Sequence, residues 1–521
     1  MGFLFGLLEA VVLTACCLGC GWRLMHYFQL ESYQLPGYVR SLKRNAQRAL
    51  IPCVGAAAAG VAALALGIPA IIALLLELAA SAAVFLRARK EKLKKPFVLT
   101  ERVKRLIAIH ALSAFAVLSL CLIALPKEIA YLLPAFEAAL LALASVIAAP
   151  VEKHINNQFL NDAKARLAAR PNLIKIGITG SYGKTSTKFL LRDILSVKYS
   201  VLATPSSFNT PMGVTRVIRE QLTGTHQVFI AEMGARHVGD IKELVDLVHP
   251  TIGLLTSVGP QHLDTFGTIE RIKNTKYELI DGLPENGTAI LARDGAICEE
   301  LYARCPLKKK YMPGDLMTAS DMEWGPFGTR FTLTDTATGE SARCETRLLG
   351  EHSIANLLLC CTAARTLGMT LAEIAQGVAR CQPVEHRLEL LNGGGGVTII
   401  DDAFNANPVG AKAALRVLKN FPGRRIIITP GMVELGGEEA AFNRAFGEQM
   451  AESVDVAILV GKRHTQPIVD GLLAKEFQQE NIHVVSSLDE STKVLHAMMR
   501  AGDVVLYEND LPDNYSELGA M

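Results

Sequence analysis

Leu173-Ile174-Lys175-Ile176-Gly177-Ile178-Thr179-Gly180-Ser181-Tyr182-Gly183-Lys184-Thr185-Ser186-Thr187 is the stretch that decides how this chain is read. Residues 173–178 read as a buried strand, and Lys188–Val197 reads as a helix. A strand, a glycine loop and a helix in immediate succession form the context in which backbone N–H groups and a helix N-terminus cradle phosphate. Gly180 and Gly183 let the loop turn its N–H groups inward, and Thr179, Ser181 and Ser186 belong to the same loop. Lys184 can reach β/γ-phosphate oxygens, and the Thr185 hydroxyl can ligate Mg²⁺. The loop departs from the general GxxxxGK[ST] pattern, because Ile178 stands where the first glycine would be.

Downstream, apolar runs alternate with helical ones. Val228–Ala235 reads as a strand carrying Glu232, an acidic residue that is either a metal anchor or a solvated strand end. Thr398–Ile400, Ile426–Thr429, Val456–Val460 and Val504–Tyr507 continue the β/α alternation and predict a Rossmann-like C-terminal domain. Asp401 and Asp402 end the first of these strands, where paired carboxylates need solvent, cation or ribose partners.

The N-terminal 150 residues differ in kind. They are dominated by Ala, Leu, Val and Ile, within a chain that is 50% hydrophobic and 20% charged overall. Runs at 3–22, 49–66, 68–86, 105–125 and 128–149 are each long enough to span a bilayer. Turn signals at 67–69 and 126–128 predict two hairpins. Arg23, Arg40, Lys43, Arg44 and Arg48 oppose only Glu31 after the first run. Arg87, Arg89, Lys90, Lys92, Lys94, Lys95, Arg102, Lys104 and Arg105 oppose Glu91 and Glu101 after the third. Positive loops stay in the cytoplasm, which predicts an outside N-terminus and everything after residue 150 inside a bacterial cytoplasmic membrane. The same loops are candidates for an anionic lipid headgroup.

Leu13-Thr14-Ala15-Cys16 has the look of a lipoprotein box, but the first basic residue is Arg23, so no signal peptide is expected. The eleven cysteines form neither a metal nor a disulfide framework, and the Cys17–Cys20 pair lies in an apolar run. A net charge of +2 without a basic, aromatic-interleaved stripe argues against nucleic acid as a partner.

Taken together, 179–187 resembles the ATP loop of the Mur ligase family, and further matching segments follow in that family's order. The resemblance implies substrate-side contacts from Ser207, Asn209 and Thr210 in Ser207–Gly213, and a Mg²⁺ ligand at Glu232. In Thr256–Asp264 it makes His262 a ligand of a second Mg²⁺. It makes Lys276 a CO₂-carbamylated lysine whose new carboxylate also holds metal. Taken by themselves, Glu232 could equally be a solvated strand end, Lys276 a surface helix lysine and Asn356 an ordinary helix residue. By resemblance Asn356 contacts adenine, and Arg387, in His386-Arg387-Leu388-Glu389, contacts the γ-phosphate. Asp402 joins the nucleotide set, and Asn405 and Asn407 the substrate set.

The fold implied is α/β: an all-α transmembrane domain over 1–150, a linker over 151–170, a P-loop ATPase domain over 171–383 and the C-terminal domain over 384–521. The activity implied is ATP-dependent amide bond formation on a cell-wall precursor, with ATP, two Mg²⁺ and carbamylated Lys276. The Asp401–Pro408 run resembles the branch whose amine substrate is D-alanyl-D-alanine. Two departures stand out. Membrane helices replace the family's uridine-diphosphate-binding N-terminal domain, and Tyr507–Tyr515 stands where that branch has a basic Lys-Gly-Ser-Arg-like stretch. Alternatives are a lipid-linked precursor or a polyglutamate-type polymer as acceptor. A different class, an ATPase serving a transporter or a regulatory module, would use neither His262 and Lys276 nor the Asp401–Pro408 loop.

Overall fold

The computed structural model describes residues 2–91, 96–206, 208–404, 406–433 and 435–510. Ser207 and Asn405, both expected in the substrate set, lie outside the described residues, as do Lys92, Lys94 and Lys95. Two compact units divide near residue 158.

The first unit is helical: α1 (Gly2–Leu30), α2 (Leu35–Arg44), α3 (Ala46–Ala65), α4 (Ala70–Lys90), α5 (Glu101–Ala124), α6 (Lys127–Leu132) and α7 (Glu137–Ala168). Among the described residues, five spans, counting 127–168 as one, are long and apolar enough to cross a membrane. The helices extend beyond the apolar runs that announced them, because helix-forming polar residues continue the backbone hydrogen bonding past the apolar stretch. The fifth run is broken once, by a 3₁₀ turn at Leu133–Phe136 containing Pro134, since proline cannot donate to the preceding turn. The stretch 151–170 is helical through Ala168. Phe3, Leu66, Leu112, Leu120 and Ile123 point outward, an apolar exterior unlike that of a soluble bundle. Charges inside are matched: His110 meets Glu137 at 2.7 Å, Lys127 meets Glu9 at 2.9 Å, and Arg105 grips Glu152 at 2.6 and 2.9 Å. Neither carboxylate oxygen of buried Glu77 is hydrogen-bonded among the described residues.

Among the described residues, the second unit contains three sheets. The central one is six-stranded and parallel: β1 (Ile174–Thr179), β2 (Val201–Ala203), β3 (Val228–Glu232), β4 (Ile252–Leu255), β5 (Thr288–Leu291) and β6 (Lys309–Tyr311), in the order β2-β3-β1-β4-β5-β6. Strands sandwiched on both faces must be apolar throughout, and β3, β4 and β5 are buried at every residue. Helices α8 (Lys184–Leu195), α9 (Pro211–Glu220), α10 (Asp240–Val248), α11 (Leu263–Phe266), α12 (Ile269–Asp281) and α13 (Gly295–Arg304) fill the connections. One face packs Phe229, Leu255 and Leu279. The other packs Ile176, Ile178, Leu190 and Leu357.

An antiparallel sheet, β7 (Met317–Gly325), β8 (Gly328–Asp335) and β9 (Ser341–Thr346), follows. It leads into α14 (Glu351–Thr366) and α15 (Leu371–Arg380), the latter opened by a Thr370–Glu373 capping box. The last sheet comprises β10 (Glu389–Asn392), β11 (Thr398–Asp402), β12 (Arg425–Thr429), β13 (Val456–Val460), β14 (Ile482–Val485) and β15 (Val504–Glu508). Its order is β10-β11-β15-β12-β13-β14, parallel except for β10. Helices α16 (Pro408–Lys419), α17 (Glu439–Met450), α18 (Lys462–Ala474) and α19 (Leu488–Met498) cover it.

Candidate active site

In an open parallel sheet, ligands lie beyond the carboxyl ends of the strands, where the strand order reverses. Here β1 sits between β3 and β4, and the loop that follows β1 is the glycine loop. Gly180 has φ +147° and Gly183 φ +77°, backbone states that L-residues rarely adopt. A Cβ on Gly180 would also meet the Ser257 amide nitrogen at 2.9 Å, and one on Gly183 would meet Asn356 Oδ1 at 2.9 Å. Asn356 thus lies against the loop where α8 begins.

The segment after β4 clasps the loop. Ser181 N–H donates to the Ser257 carbonyl at 2.8 Å, and Tyr182 N–H to Ser257 Oγ at 2.8 Å. Ser181 Oγ both donates to and accepts from the Gly259 backbone at 3.0 Å, and the Tyr182 hydroxyl donates to the Pro260 carbonyl at 2.7 Å. Thr179 Oγ1 donates to the Met233 carbonyl at 2.9 Å. The side chains of Thr179 and Ser181 therefore shape the loop, and the Ser181 and Tyr182 N–H groups are committed to Ser257. Ser186 stands in the first turn of α8.

Lys184 folds back over the loop, donating to the Gly180 and Ser181 carbonyls at 2.6 and 2.9 Å. Burial lowers its pKa to about 8, with Glu232 opposing and the Arg387 cation reinforcing the shift. Arg387, from the segment before β10, therefore lies within electrostatic reach of Lys184. Its guanidinium stacks 4.7 Å from the centroid of the Phe404 ring.

Glu232 is the hub on the other side. It accepts from Thr185 Oγ1 at 3.1 and 3.2 Å, from Asn209 Nδ2 at 3.0 Å and from Lys188 Nζ at 2.9 Å. Lys188 and Glu232 are fully buried. Lys188 was not anticipated as a site residue, since a lysine in the second turn of an amphipathic helix reads as solvated. Its position four residues after Lys184 was the available signal, because i and i+4 share a helix face.

Lys276 lies on α12, almost completely buried, and has no hydrogen-bond or ion-pair partner among the described residues. Burial first, and then the Lys184 charge, hold its amine well below the usual lysine range. A buried neutral amine is a nucleophile. His262, half-buried with φ +52°, precedes α11.

The donors fit Mg²⁺, which keeps several waters and takes one or two carboxylates plus substrate phosphates. Thr185 and Glu232 adjoin each other beside the loop, and among the described residues no cluster of three or more His, Cys, Asp or Glu side chains forms a ready-made cage. Thr210 and Asn407, expected on the substrate side, have their side-chain oxygens engaged as helix caps, accepting from Gly213 and Gly410 N–H at 3.3 and 2.9 Å.

Around the C-terminal strands, His386 Nδ1 meets Asp401 at 2.7 Å, which raises the histidine pKa. Asp402 accepts from Leu388 N–H at 3.1 Å and lies beside Glu508 on β15. Burial raises both carboxyls, Asp402 to about 6. Glu508 was quoted in sequence only as a departure from a basic stretch; its pairing with Asp402 depends on β11–β15 register.

Two family profiles match this chain: the Mur ligase middle domain over residues 178–364 and the Mur ligase glutamate ligase domain over 386–507. The UDP-N-acetylmuramoyl-tripeptide–D-alanyl-D-alanine ligase of Mycobacterium bovis is 32% identical over 373 residues, 66% of this chain and 71% of the relative. The enzyme of the same name from Escherichia coli K12 is 33% identical over 294 residues, 55% of this chain and 64% of the relative. MurF of Acinetobacter baumannii shares the fold, with a TM-score of 0.63 at 24% identity over 70% of this chain and 79% of that one. MurF of Thermotoga maritima, solved in complex with ADP, gives a TM-score of 0.61 at 25% identity over 68% and 80%. The helical unit replaces the usual N-terminal domain, and this chain belongs to the Mur ligase family, whose members are ATP-dependent ligases.

Proposed function

We propose that the chain joins an amine to the carboxyl end of a peptidoglycan precursor, at the cytoplasmic face of a bacterial membrane, through an acyl phosphate. The observation that carries this is the junction of Lys184, Thr185, Glu232 and Arg387 around one glycine loop. The loop at 179–187 is read as the P-loop of an ATP-binding domain over 171–383, with a Rossmann-like domain over 384–521 and membrane helices over 1–150.

In the first half-reaction an acceptor carboxylate oxygen attacks the γ-phosphorus of ATP, and the bond to the β–γ bridging oxygen breaks, releasing ADP. In the second, the incoming amine attacks the acyl carbon, loses a proton and expels phosphate. Anionic groups must be brought together, so the chain's main work is charge neutralisation and positioning. Lys184 and Arg387 supply fixed cations, loop N–H groups other than those of Ser181 and Tyr182 orient the phosphates, and Asn356 meets the base. Bound Mg²⁺, held by Thr185 and Glu232 with a second ion near His262 and carbamylated Lys276, would neutralise phosphate charge. Carbamylation by CO₂ needs an uncharged amine, the form that the burial of Lys276 favours.

The Mycobacterium and Escherichia relatives are named for D-alanyl-D-alanine addition, which favours that dipeptide as donor and a UDP-linked muramoyl tripeptide as acceptor. A lipid-linked acceptor is the second reading, favoured by the five apolar helices in place of the usual domain. Purified full-length protein is incubated with ATP, D-alanyl-D-alanine and either acceptor, and products are weighed by mass spectrometry. The proposal expects an acceptor heavier by the dipeptide less one water, with stoichiometric ADP. ATP hydrolysis indifferent to both acceptors and amine would contradict it.

A further inference from the structure

Glu77 stands within α4, fully buried, and neither of its carboxylate oxygens has a hydrogen-bond partner among the described residues. It faces Gly60 of α3, Tyr131 of α6 and the thiols of Cys16, Cys17 and Cys20 of α1, none of them a cation. A Cβ on Gly60 would collide with Glu77 Oε2 and with Tyr131 Cδ1, so the glycine makes the room in which the carboxyl lies against the tyrosine. Tyr131 leads toward solvent. Its hydroxyl donates to Glu9 Oε1 at 3.2 Å, and Glu9 accepts from half-exposed Lys127 at 2.9 and 3.0 Å. Cys17 leads the other way, within electrostatic reach of both Glu77 and Glu137. Glu137 in turn meets His110 of α5 at 2.7 Å, both fully buried, and a Cβ on Gly21 would collide with Glu137 Oε1. A string of groups that can hold or pass a proton thus runs from a solvated end into the bundle.

We propose that this string carries protons through the helical unit, with Glu77 as the site where the proton rests. An isolated carboxylate in an apolar interior is costly, and a bound proton removes that cost. Within a membrane, buried carboxyl and histidine chains are the groups that relay protons. A metal ion would ask for several oxygen ligands, and among the described residues no group of three or more His, Cys, Asp or Glu side chains could hold one. Each hop forms one bond to hydrogen and breaks another, so a proton entering at Glu9 releases one at His110 and the string returns to its first state. The inference rests on the reading of the helical unit as membrane-spanning.

The test reconstitutes the full-length protein in phosphatidylcholine vesicles, imposes a potassium diffusion potential with valinomycin and follows proton entry with a trapped pH dye. Wild type should admit protons faster than protein-free vesicles do. Dicyclohexylcarbodiimide, which adds intact to a protonated carboxyl in apolar surroundings, should block the flux and leave its mass on the peptide carrying Glu77. Glu77→Gln should bring the flux down to the protein-free rate. Tyr131→Phe should slow it about tenfold, the cost of one hydrogen bond in the relay. The carbodiimide arm needs no substitution and serves if a variant fails to fold. Unchanged flux in Glu77→Gln would overturn the path, as would wild-type protein that stays in the vesicles through an alkaline carbonate wash yet admits no protons above background. Protein that the wash strips away would overturn the spanning reading first, and the path with it.

Discussion

At the scale of single residues, two buried lysines and one loop lysine make separate predictions. Lys184→Ala should lower turnover by at least about a hundredfold with little change in melting temperature, because its contacts are to loop carbonyls it shields rather than to a core. Its pKa of about 8 sets a direction: the cation that meets phosphate is present below that pH and lost above it. KM for ATP should therefore rise as pH passes through about 8, in a profile that Lys184→Arg shifts to higher pH. Lys188 and Glu232 behave differently, being a fully buried ion pair at 2.9 Å. Removing one partner strands a buried charge, so Lys188→Met should cost about 3–5 kcal/mol by denaturant titration, far more than Lys184→Ala. Lys276 separates the carbamate from a plain lysine. Both Lys276→Arg and Lys276→Ala should be nearly inactive, with only the alanine variant partly restored by acetate at saturating Mg²⁺. An active arginine variant would remove the carbamate from the mechanism.

At the scale of elements, local pattern and long-range register contribute unequally. The strand–loop–helix of 173–195 was legible, because apolar run, glycines and helix formers are contiguous and β1 is buried on both faces. So were β3, β11, β12, β13 and β15, each a short apolar run. What remained hidden depends on partners far apart in sequence. Thr179 and Ser181 read as members of the phosphate loop, and their hydroxyls tie that loop to residues more than 50 positions away. Thr210 and Asn407 sit one residue before a proline at a helix start, the position at which an N-cap is expected, and capping was the signal available. The antiparallel β7–β9 sheet had no reading in advance, although β8 alternates in burial along its length. The β11–β15 register places Glu508 beside Asp402, and this has a measurable consequence. A carboxyl raised from 3.8 to about 6 favours its protonated form in the folded state. The penalty is absent below the unfolded pKa and grows as pH rises through the folded one. Melting temperature should thus fall between pH 4 and 7, and Glu508→Gln should flatten that slope and melt higher than wild type at pH 8.

At the scale of the whole molecule, ligase sheets follow a helical unit with an apolar exterior. The positive bias of the loops predicts residues 23–48 and 87–105 inside and the start of the chain outside. The native cysteines are buried except half-buried Cys121, so in a Cys121→Ser background Phe3→Cys should react with an impermeant maleimide on intact cells, whereas Lys95→Cys should not. Reaction of position 95 from outside would invert the topology and separate the site from cytoplasmic ATP. The central claim is chemical, that an acceptor carboxylate is phosphorylated by ATP before an amine displaces the phosphate. The most direct measurement uses acceptor labelled with ¹⁸O in its carboxylate and follows the released phosphate by mass spectrometry. The account predicts one ¹⁸O in the phosphate for each amide formed, because the attacking oxygen leaves with phosphorus. Unlabelled phosphate alongside product would contradict it.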